Sequence, residues 1–216
     1  MSIAARNAML AGGDISAKSY VQDGLIAMWD GIENAGWGAH DANATTWVDL
    51  SGNGYDFTIS TATFNSDSIN VSERSATLIK EIPLGSIGTM EVSVERELGY
   101  CVVFFNKRNR IIRGIDRMQF NPDISSSTVI LNGAKTFSAT LNTSNGNLIN
   151  GYADGQSVPI SNWTDWYLGE NNKLTPQYQL YSFSGKIKFI RIYSRALSAA
   201  EIAANYAVDA ARFNLT

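Results

Sequence analysis

Residues 183–213 read FSGKIKFIRIYSRALSAAEIAANYAVDAARF, and they predict one strand, a sharp corner and one helix. The segment 186–193 consists mostly of β-branched and aromatic residues, which are typical of a strand in a half-buried sheet. The alternation of residue types slips near Phe189 and Ile190, so we expect a β-bulge or burial of both faces there. This strand is predicted to lead directly into the helix.

The start of the helix has two independent signals. Ser198 and Glu201 have the spacing of a capping box, and Leu197 and Ile202 stand at the two positions of a hydrophobic staple. The sequence therefore predicts a helix over 198–213. The apolar stripe expected to face a sheet consists of Ile202, Tyr206, Ala210 and Phe213. The residues expected to face solvent are Glu201, Asn205 and Asp209.

The same stretch carries the pattern G-x-I-x-x-x-R-I-Y-x-R-A-L-S-x-x-E-I, from Gly185 to Ile202. It closely resembles the closing strand and corner of laminin-G-like jelly rolls, which belong to the concanavalin A-like lectin and glucanase superfamily. Residues 24–29 resemble the opening strand of that template, 49–54 (DLSGNG) its turn and 150–155 (NGYADG) its hairpin. The resemblance implies an all-β antiparallel sandwich with a C-terminal capping helix. It implies little about activity, because one fold hosts unrelated functions.

Composition limits the size and the partners of the protein. A chain of 216 residues with 44% hydrophobic residues can bury a full core, and we expect one sandwich domain over 21–216. The net charge of −3 offers no broad basic surface, which argues against nucleic acid as a partner. No run approaches the roughly 18 apolar residues of a membrane span, so we expect no membrane partner either.

Residues 1–20 cannot form a core of their own. We expect them to be an anchoring arm that holds the domain in a homo-oligomer or a larger assembly, or else an arm folded back on its own sandwich. They lack the long apolar core of a secretory signal. Similar jelly rolls occur in appendages and decorations of tailed bacterial viruses, so the resemblance implies a virion protein that reaches the outside by cell lysis.

Aromatic residues suggest where a ligand could bind. Sugars present flat C–H faces that stack on aromatic rings, and nearby Asn or Asp side chains can bond their hydroxyls. The candidate carbohydrate contacts are Trp37 in the long loop 32–46 and, late in the chain, Asn162, Trp163, Asp165, Trp166, Asn171 and Asn172. The alternative is core packing, and we expect at most one or two of the five tryptophans to be exposed.

The segment 49–55 matches the first half of an EF-hand calcium loop, with alternating oxygen donors and glycine at the sixth position. The twelfth position is Ser60, which cannot supply the bidentate carboxylate of that motif. Asp30, Asp49 and Asp56 could still provide oxygen ligands for calcium on one rim. The alternative is an Asx-type turn, in which Asp49 and Asn53 bond nearby backbone amides.

The stretch from Glu91 to Glu95 resembles the E-x-D-x-E strand motif of glucanases in this superfamily, with Ser93 in place of the central Asp. The glutamates of that motif act as nucleophile and acid/base. His40 is the only histidine, so no serine or cysteine triad can be built without it. We therefore expect a non-enzymatic module that binds carbohydrate or a neighbouring virion protein. The alternatives are a purely structural assembly protein and a glycan hydrolase.

Overall fold

The computed structural model describes most of the chain, with gaps. The described residues are 15–71, 76–78, 80, 82–83, 87–96, 101–105, 109–113, 117–122, 127–130, 134–142, 147–160, 173–174, 179–182 and 185–215.

The described residues form short strands, numbered here in chain order. They are β1 (Leu25–Asp30), β2 (Thr46–Trp47), β3 (Phe57–Ile59), β4 (Thr63–Phe64), β5 (Ile69–Val71), β6 (Ala76–Leu78), β7 (Ile82–Pro83), β8 (Ile87–Arg96), β9 (Cys101–Phe105), β10 (Asn109–Arg113), β11 (Arg117–Pro122), β12 (Ser127–Ile130), β13 (Thr136–Asn142), β14 (Asn147–Ala153), β15 (Gln156–Val158), β16 (Lys173–Leu174), β17 (Gln179–Ser182) and β18 (Gly185–Tyr193).

Two large antiparallel sheets contain nearly all of these strands. The first has the order β15-β14-β13-β8-β18-β5-β4, and β1 also pairs with β18. The second has the order β12-β11-β10-β9-β17-β6-β3-β2, and β7 pairs with β16 separately. The predicted hairpin after β14 is present, because Asp154 and Gly155 have φ of +47° and +73° between β14 and β15. Positive φ at both central residues is the requirement of a tight type I′ turn.

The main core lies between the two sheets. Trp29 and Ile190 of the first sheet and Trp47 and Phe57 of the second belong to one buried cluster. The rings of Trp29 and Phe57 have centroids 4.8 Å apart, which joins the sheets by direct aromatic contact. The predicted all-β antiparallel sandwich is therefore confirmed.

Strand β18 contains the predicted irregularity, a register shift against β8 between Ile187 and Phe189. The shift lets Ile187, Ile190 and Ile192 all enter the main core. Without it, strict alternation from Ile187 would have turned Phe189 and Arg191 inward. The bulge thus places Arg191 on the outer face of the sheet, where a charged group can find partners.

The outer face of the first sheet is covered by helix α1 (Ala199–Arg212). Its predicted capping box is confirmed: the Glu201 amide donates to Ser198 Oγ at 3.3 Å, and the Ser198 amide donates to Glu201 Oε2 at 2.8 Å. Leu197 and Ile202 share a buried cluster with Tyr193, as the staple predicted. Among the described residues, no helix is long and apolar enough to cross a membrane.

The predicted inner face of α1 is confirmed only at Ile202 and Phe213, which are buried. Its buried residues are Ile202, Asn205, Val208 and Asp209. Asn205 and Asp209, expected at the surface, face the sheet, whereas Tyr206 and Ala210 are only half-buried. The cause is the polar character of the sheet beneath, since Arg191 and Glu91 project from it and need partners that an apolar stripe lacks.

The chain before β1 packs on its own sandwich over the part that is described. Ala17–Ser19 form a 3₁₀ turn, and Ala17 and Tyr20 share a buried cluster with Met28 of β1 and Val208 of α1. This matches the folded-back alternative for residues 15–20. Residues 1–14 lie outside the described residues, so the anchoring role of the arm stays a prediction.

Candidate functional site

The loop between β1 and β2 presents a tryptophan to solvent. The Ala39 amide donates to the Gly36 carbonyl at 3.0 Å, which closes a turn with Trp37 and Gly38 at its tip. Gly38 has φ of +70°, a conformation that glycine adopts without steric strain at this position of a type II turn. Trp37 is 40% exposed, and it is the one exposed large hydrophobic residue among those whose burial the structure describes.

The base of this loop is fixed by a buried asparagine. Asn34 Nδ2 donates to the Asp41 carbonyl at 2.7 Å, and Asn34 Oδ1 accepts from the Asp41 amide at 2.8 Å. The Asn34 carbonyl also accepts from the Val48 amide at 3.0 Å, next to β2. The loop is therefore shaped by the protein itself, without a ligand.

A second buried side chain, Glu33, joins the loop to the segment before β1. Its Oε2 accepts from the Gly38 amide at 2.9 Å, and its Oε1 accepts from the Ala17 amide at 2.8 Å. Arg212, in the last turn of α1, donates to Glu33 Oε1 at 2.8 Å. One carboxylate thus sets the position of the Trp37 turn relative to the 3₁₀ turn.

The 3₁₀ turn brings a cation to the tryptophan. Lys18 Nζ lies 5.3 Å from the centroid of the Trp37 ring, within the range of a cation–π contact. Sequence reasoning placed Lys18 in the anchoring arm and gave Glu33 no role. No sequence signal identified either residue, because the link between them runs through backbone N–H groups.

The remaining predicted carbohydrate contacts are late in the chain. Asn162, Trp163, Asp165, Trp166, Asn171 and Asn172 all lie outside the described residues, so their role stays a prediction. The other two described tryptophans, Trp29 and Trp47, are fully buried in the main core. Among the described residues, the candidate surface is therefore built around Trp37 alone.

The turn with EF-hand-like spacing uses its carboxylate internally. Asp49 Oδ1 accepts from the Met28 and Ser51 amides, each at 2.9 Å. Asp49 Oδ2 accepts from the Tyr55 amide at 3.0 Å and from Ser51 Oγ at 2.8 Å. Asp56 Oδ1 accepts from the Asp49 amide at 2.8 Å. For Asp49 these are the contacts of the Asx-type alternative, because its oxygens cap backbone donors. Asn53 instead donates from Nδ2 to the Ile26 carbonyl at 2.9 Å.

Asp30, the third candidate calcium ligand, is bound to an arginine. Arg212 donates to Asp30 Oδ2 at 2.5 Å and to Asp30 Oδ1 at 3.2 Å. Burial raises the pKa of Asp30, and the charge of Arg212 opposes that rise. Within the described ranges, no three Asp, Glu, His or Cys side chains are grouped so as to hold a metal ion. Asp30, Asp49 and Asp56 are thus not brought together as a set.

The two glutamates considered for hydrolysis do not converge in a cleft. Glu91 is 1% exposed, and its Oε2 accepts from Arg191 Nε and Asn205 Nδ2, each at 2.8 Å. Glu95 has a partly exposed side chain and lies 3.6 Å from Lys188 Nζ. A carboxylate buried against an arginine under the helix has no access to a sugar, so Glu91 supports the fold.

Arg191 is the centre of a buried ionic cluster between β18 and α1. Its Nη1 and Nη2 donate to the two oxygens of Asp209 at 2.8 and 2.7 Å. Its guanidinium carbon lies 4.0 Å from the ring centroids of both Tyr20 and Phe189. Burial raises the pKa of Asp209, and Arg191 opposes that rise. This cluster fixes the helix to the sheet and is closed to ligands.

Comparison with known proteins yields structural likeness only: no family model and no curated protein matches the sequence. Trypanosoma rangeli sialidase aligns with a TM-score of 0.57 and 12% identity over 88% of this chain and 33% of its own. The two proteins share a β-sandwich fold. The botulinum neurotoxin type G receptor binding domain has a TM-score of 0.55 at 15% identity, over 87% of this chain and 52% of its own.

The botulinum neurotoxin serotype D ligand binding domain, solved in complex with N-acetylneuraminic acid, has a TM-score of 0.57 at 12% identity. That alignment covers 86% of this chain and 51% of the toxin domain. The chain thus spans about a third of the sialidase and about half of each toxin domain. At such identities the likeness shows the fold alone.

Proposed function

We propose that this protein is a non-enzymatic carbohydrate-binding module whose sugar contact is Trp37. The observation that carries the proposal is the exposure of this indole, 40%, at the tip of a turn that is held from below. An indole face offers apolar area for the C–H face of a sugar, and its N–H offers a donor for a hydroxyl. Trp37 was also among the contacts that the sequence predicted.

The order of the loop strengthens the proposal. Asn34 and Glu33 hold the backbone that follows Trp37 through hydrogen bonds of 2.7–2.9 Å to Asp41 and Gly38. A loop that is already in place needs no further ordering when a sugar binds, so more of the stacking energy appears as affinity. The Trp37 turn is therefore expected to bind a sugar more tightly than a loop that must fold around its ligand.

Two further points support a carbohydrate ligand. Proteins with this fold include a toxin domain solved with N-acetylneuraminic acid and a sialidase solved with sialic acid. The laminin-G-like pattern of residues 185–202 resembles modules of the same lectin superfamily. The resemblance also suggests the surface of a bacterial virus particle as the setting. The aromatic, Asn and Asp residues of 162–172 remain the predicted second group of sugar contacts.

A glycan array comparing the wild type with Trp37→Ala and Trp37→Phe tests this function. We expect the alanine variant to lose about thirtyfold in affinity, since truncating a central aromatic contact removes about 2 kcal/mol or more. Trp37→Phe keeps a ring and should retain part of the binding. Circular dichroism of each variant checks that the sandwich is folded, and Trp163→Ala reports on the late aromatic group.

The array also distinguishes the alternative roles. Binding that survives in Trp37→Ala but is lost in Trp163→Ala would move the site to the late aromatics and contradict the assignment to Trp37. If the folded wild type bound no glycan on a broad array, the carbohydrate-binding function would be contradicted. A purely structural role in particle assembly would then be the leading hypothesis.

A further inference from the structure

Lys18 is an exposed lysine whose charge is not paired with a described carboxylate. Lys188, Arg191, Arg195 and Arg212 each form an ion pair with a carboxylate. Lys18 forms none with any described residue, and its ammonium lies 5.3 Å from the centroid of the exposed Trp37 ring. The ammonium is therefore held beside the candidate sugar platform with its charge available to a ligand.

The spacing of Lys18 and Trp37 is set by the fold. Glu33 accepts from the amide of Ala17, which precedes Lys18, and from the amide of Gly38, which follows Trp37. Because Glu33 is 5% exposed and bonded to Arg212, this bridge is shielded from water and fixed to the helix. The cation and the aromatic ring are thus placed together before any ligand arrives.

We infer that the Trp37 surface binds acidic sugars in preference to neutral ones, with Lys18 pairing with the sugar carboxylate. The inference rests on the proposed function and specifies its ligand class. A pyranose stacked on Trp37 brings a carboxylate on its ring carbon to the edge of the indole. The flexible stem of Lys18 lets the ammonium leave the ring face and donate hydrogen bonds to that carboxylate.

The expected preference is modest, because Lys18 is exposed. Ion pairs at exposed positions change an equilibrium by about two- to fivefold. Both kinds of sugar must displace the cation–π contact to use this ring face, and a neutral sugar gains no ion pair from the ammonium in return. The preference should also fall with salt, since about 1 M NaCl shortens the Debye length to about 3 Å.

The test measures the wild type, Lys18→Gln, Lys135→Gln and Trp37→Ala on matched acidic and neutral glycans. The pairs are glucuronate with glucose, galacturonate with galactose, and sialyllactose with lactose, all on the same polymer. Lys135 is an exposed lysine outside the loop, so its variant carries the same charge change at another place. Circular dichroism confirms that each variant is folded.

We expect the wild type and Lys135→Gln to favour the acidic member of any pair that binds, by about two- to fivefold. Lys18→Gln should remove this preference by weakening the binding of the acidic member about two- to fivefold. An acidic preference that persists in Lys18→Gln, or a neutral preference in the wild type, would overturn the inference and leave the proposed function intact. Absence of all glycan binding, or binding unaffected in Trp37→Ala, would contradict the proposed function itself.

Discussion

Among the described residues, Arg191 is the one cation that pairs with Asp209. Replacing Arg191 with methionine removes this charge and keeps an unbranched side chain. The change deletes three charge-assisted hydrogen bonds, of 2.7–2.8 Å, to Glu91 and Asp209. Both carboxylates are 1% exposed, so water cannot take the place of the guanidinium. The variant therefore leaves two acidic groups buried without their charge partner.

The expected loss in free energy of unfolding is about 4 kcal/mol at neutral pH, because breaking a buried ion pair typically removes 3–5 kcal/mol. Domains are commonly stable by about 5–15 kcal/mol, so the variant should be marginal. Its deficit should shrink as pH falls. Burial already raises the pKa of Asp209, and without Arg191 the folded state gains more by protonating that carboxyl.

Urea unfolding followed by tryptophan fluorescence measures this difference. Arg195→Met is the matched control, since Arg195 donates to Glu201 Oε1 at 2.6 Å in an ion pair whose two side chains are each about 30% exposed. We expect the control to lose about 1 kcal/mol or less. Adding Glu91→Gln and Asp209→Asn to Arg191→Met should recover much of the loss, because the cluster then holds no buried charge. If Arg191→Met loses no more than the control, the cluster does not hold the helix.

Two further predictions concern the fold. Gly31→Ala should lower the unfolding free energy by about 1–3 kcal/mol in chemical denaturation, because a Cβ there would lie 2.4 Å from the Asp67 carbonyl oxygen; unchanged stability would mean that this close approach is absent. Hydrogen bonds from Arg195 and then from the Ser198 amide lower the pKa of Glu201 to about 2. Ionised Glu201 should contribute about 0.5–1 kcal/mol to the free energy of unfolding above pH 4.5, and this contribution should be lost as the pH falls through about 2. The unfolding free energies of Glu201→Gln and the wild type should therefore converge in acid. A difference that grows as the pH falls would contradict this prediction.

The features of the fold that could be predicted from the sequence are those set by residues close together in the chain. The capping box of Ser198 and Glu201 is confirmed because its donors and acceptors lie within one turn of helix. The irregularity at Phe189 is confirmed because side chains alternate strictly along a strand, so a slip in the pattern predicts a bulge. These features can be recognised in the sequence without knowing how the two sheets pack together.

The orientation of α1 could not be predicted from its own residues. Polarity alone places Asn205 and Asp209 at the surface, and this expectation is wrong because Arg191 of β18 and Glu91 of β8 lie beneath them. A buried charge is stable only when its partner is present, and these partners lie on different elements. Pairing Arg191 with Asp209, 18 residues apart, was the missing step.

The candidate site was predictable only in outline. The length of the loop 32–46 pointed to function, and Trp37 was named as a contact. Its exposure depends on the turn of Gly36 and Gly38, and its cation depends on Glu33. The Glu33 carboxylate reaches backbone amides 16 and 5 residues away, and a backbone amide gives no sequence signal.

Helix α1 and the candidate site around Trp37 are connected by ion pairs and hydrogen bonds. Arg212 ends α1 and pairs with Asp30 of β1 and with Glu33, although Glu33 is 179 residues earlier in the chain. Glu33 in turn holds the amides that position Lys18 and Trp37. Since Arg212 anchors this carboxylate, loosening the end of the helix would also loosen the contact between the cation and the ring. The stability of the sandwich and the geometry of the contact between Lys18 and Trp37 are therefore coupled through the buried carboxylate of Glu33.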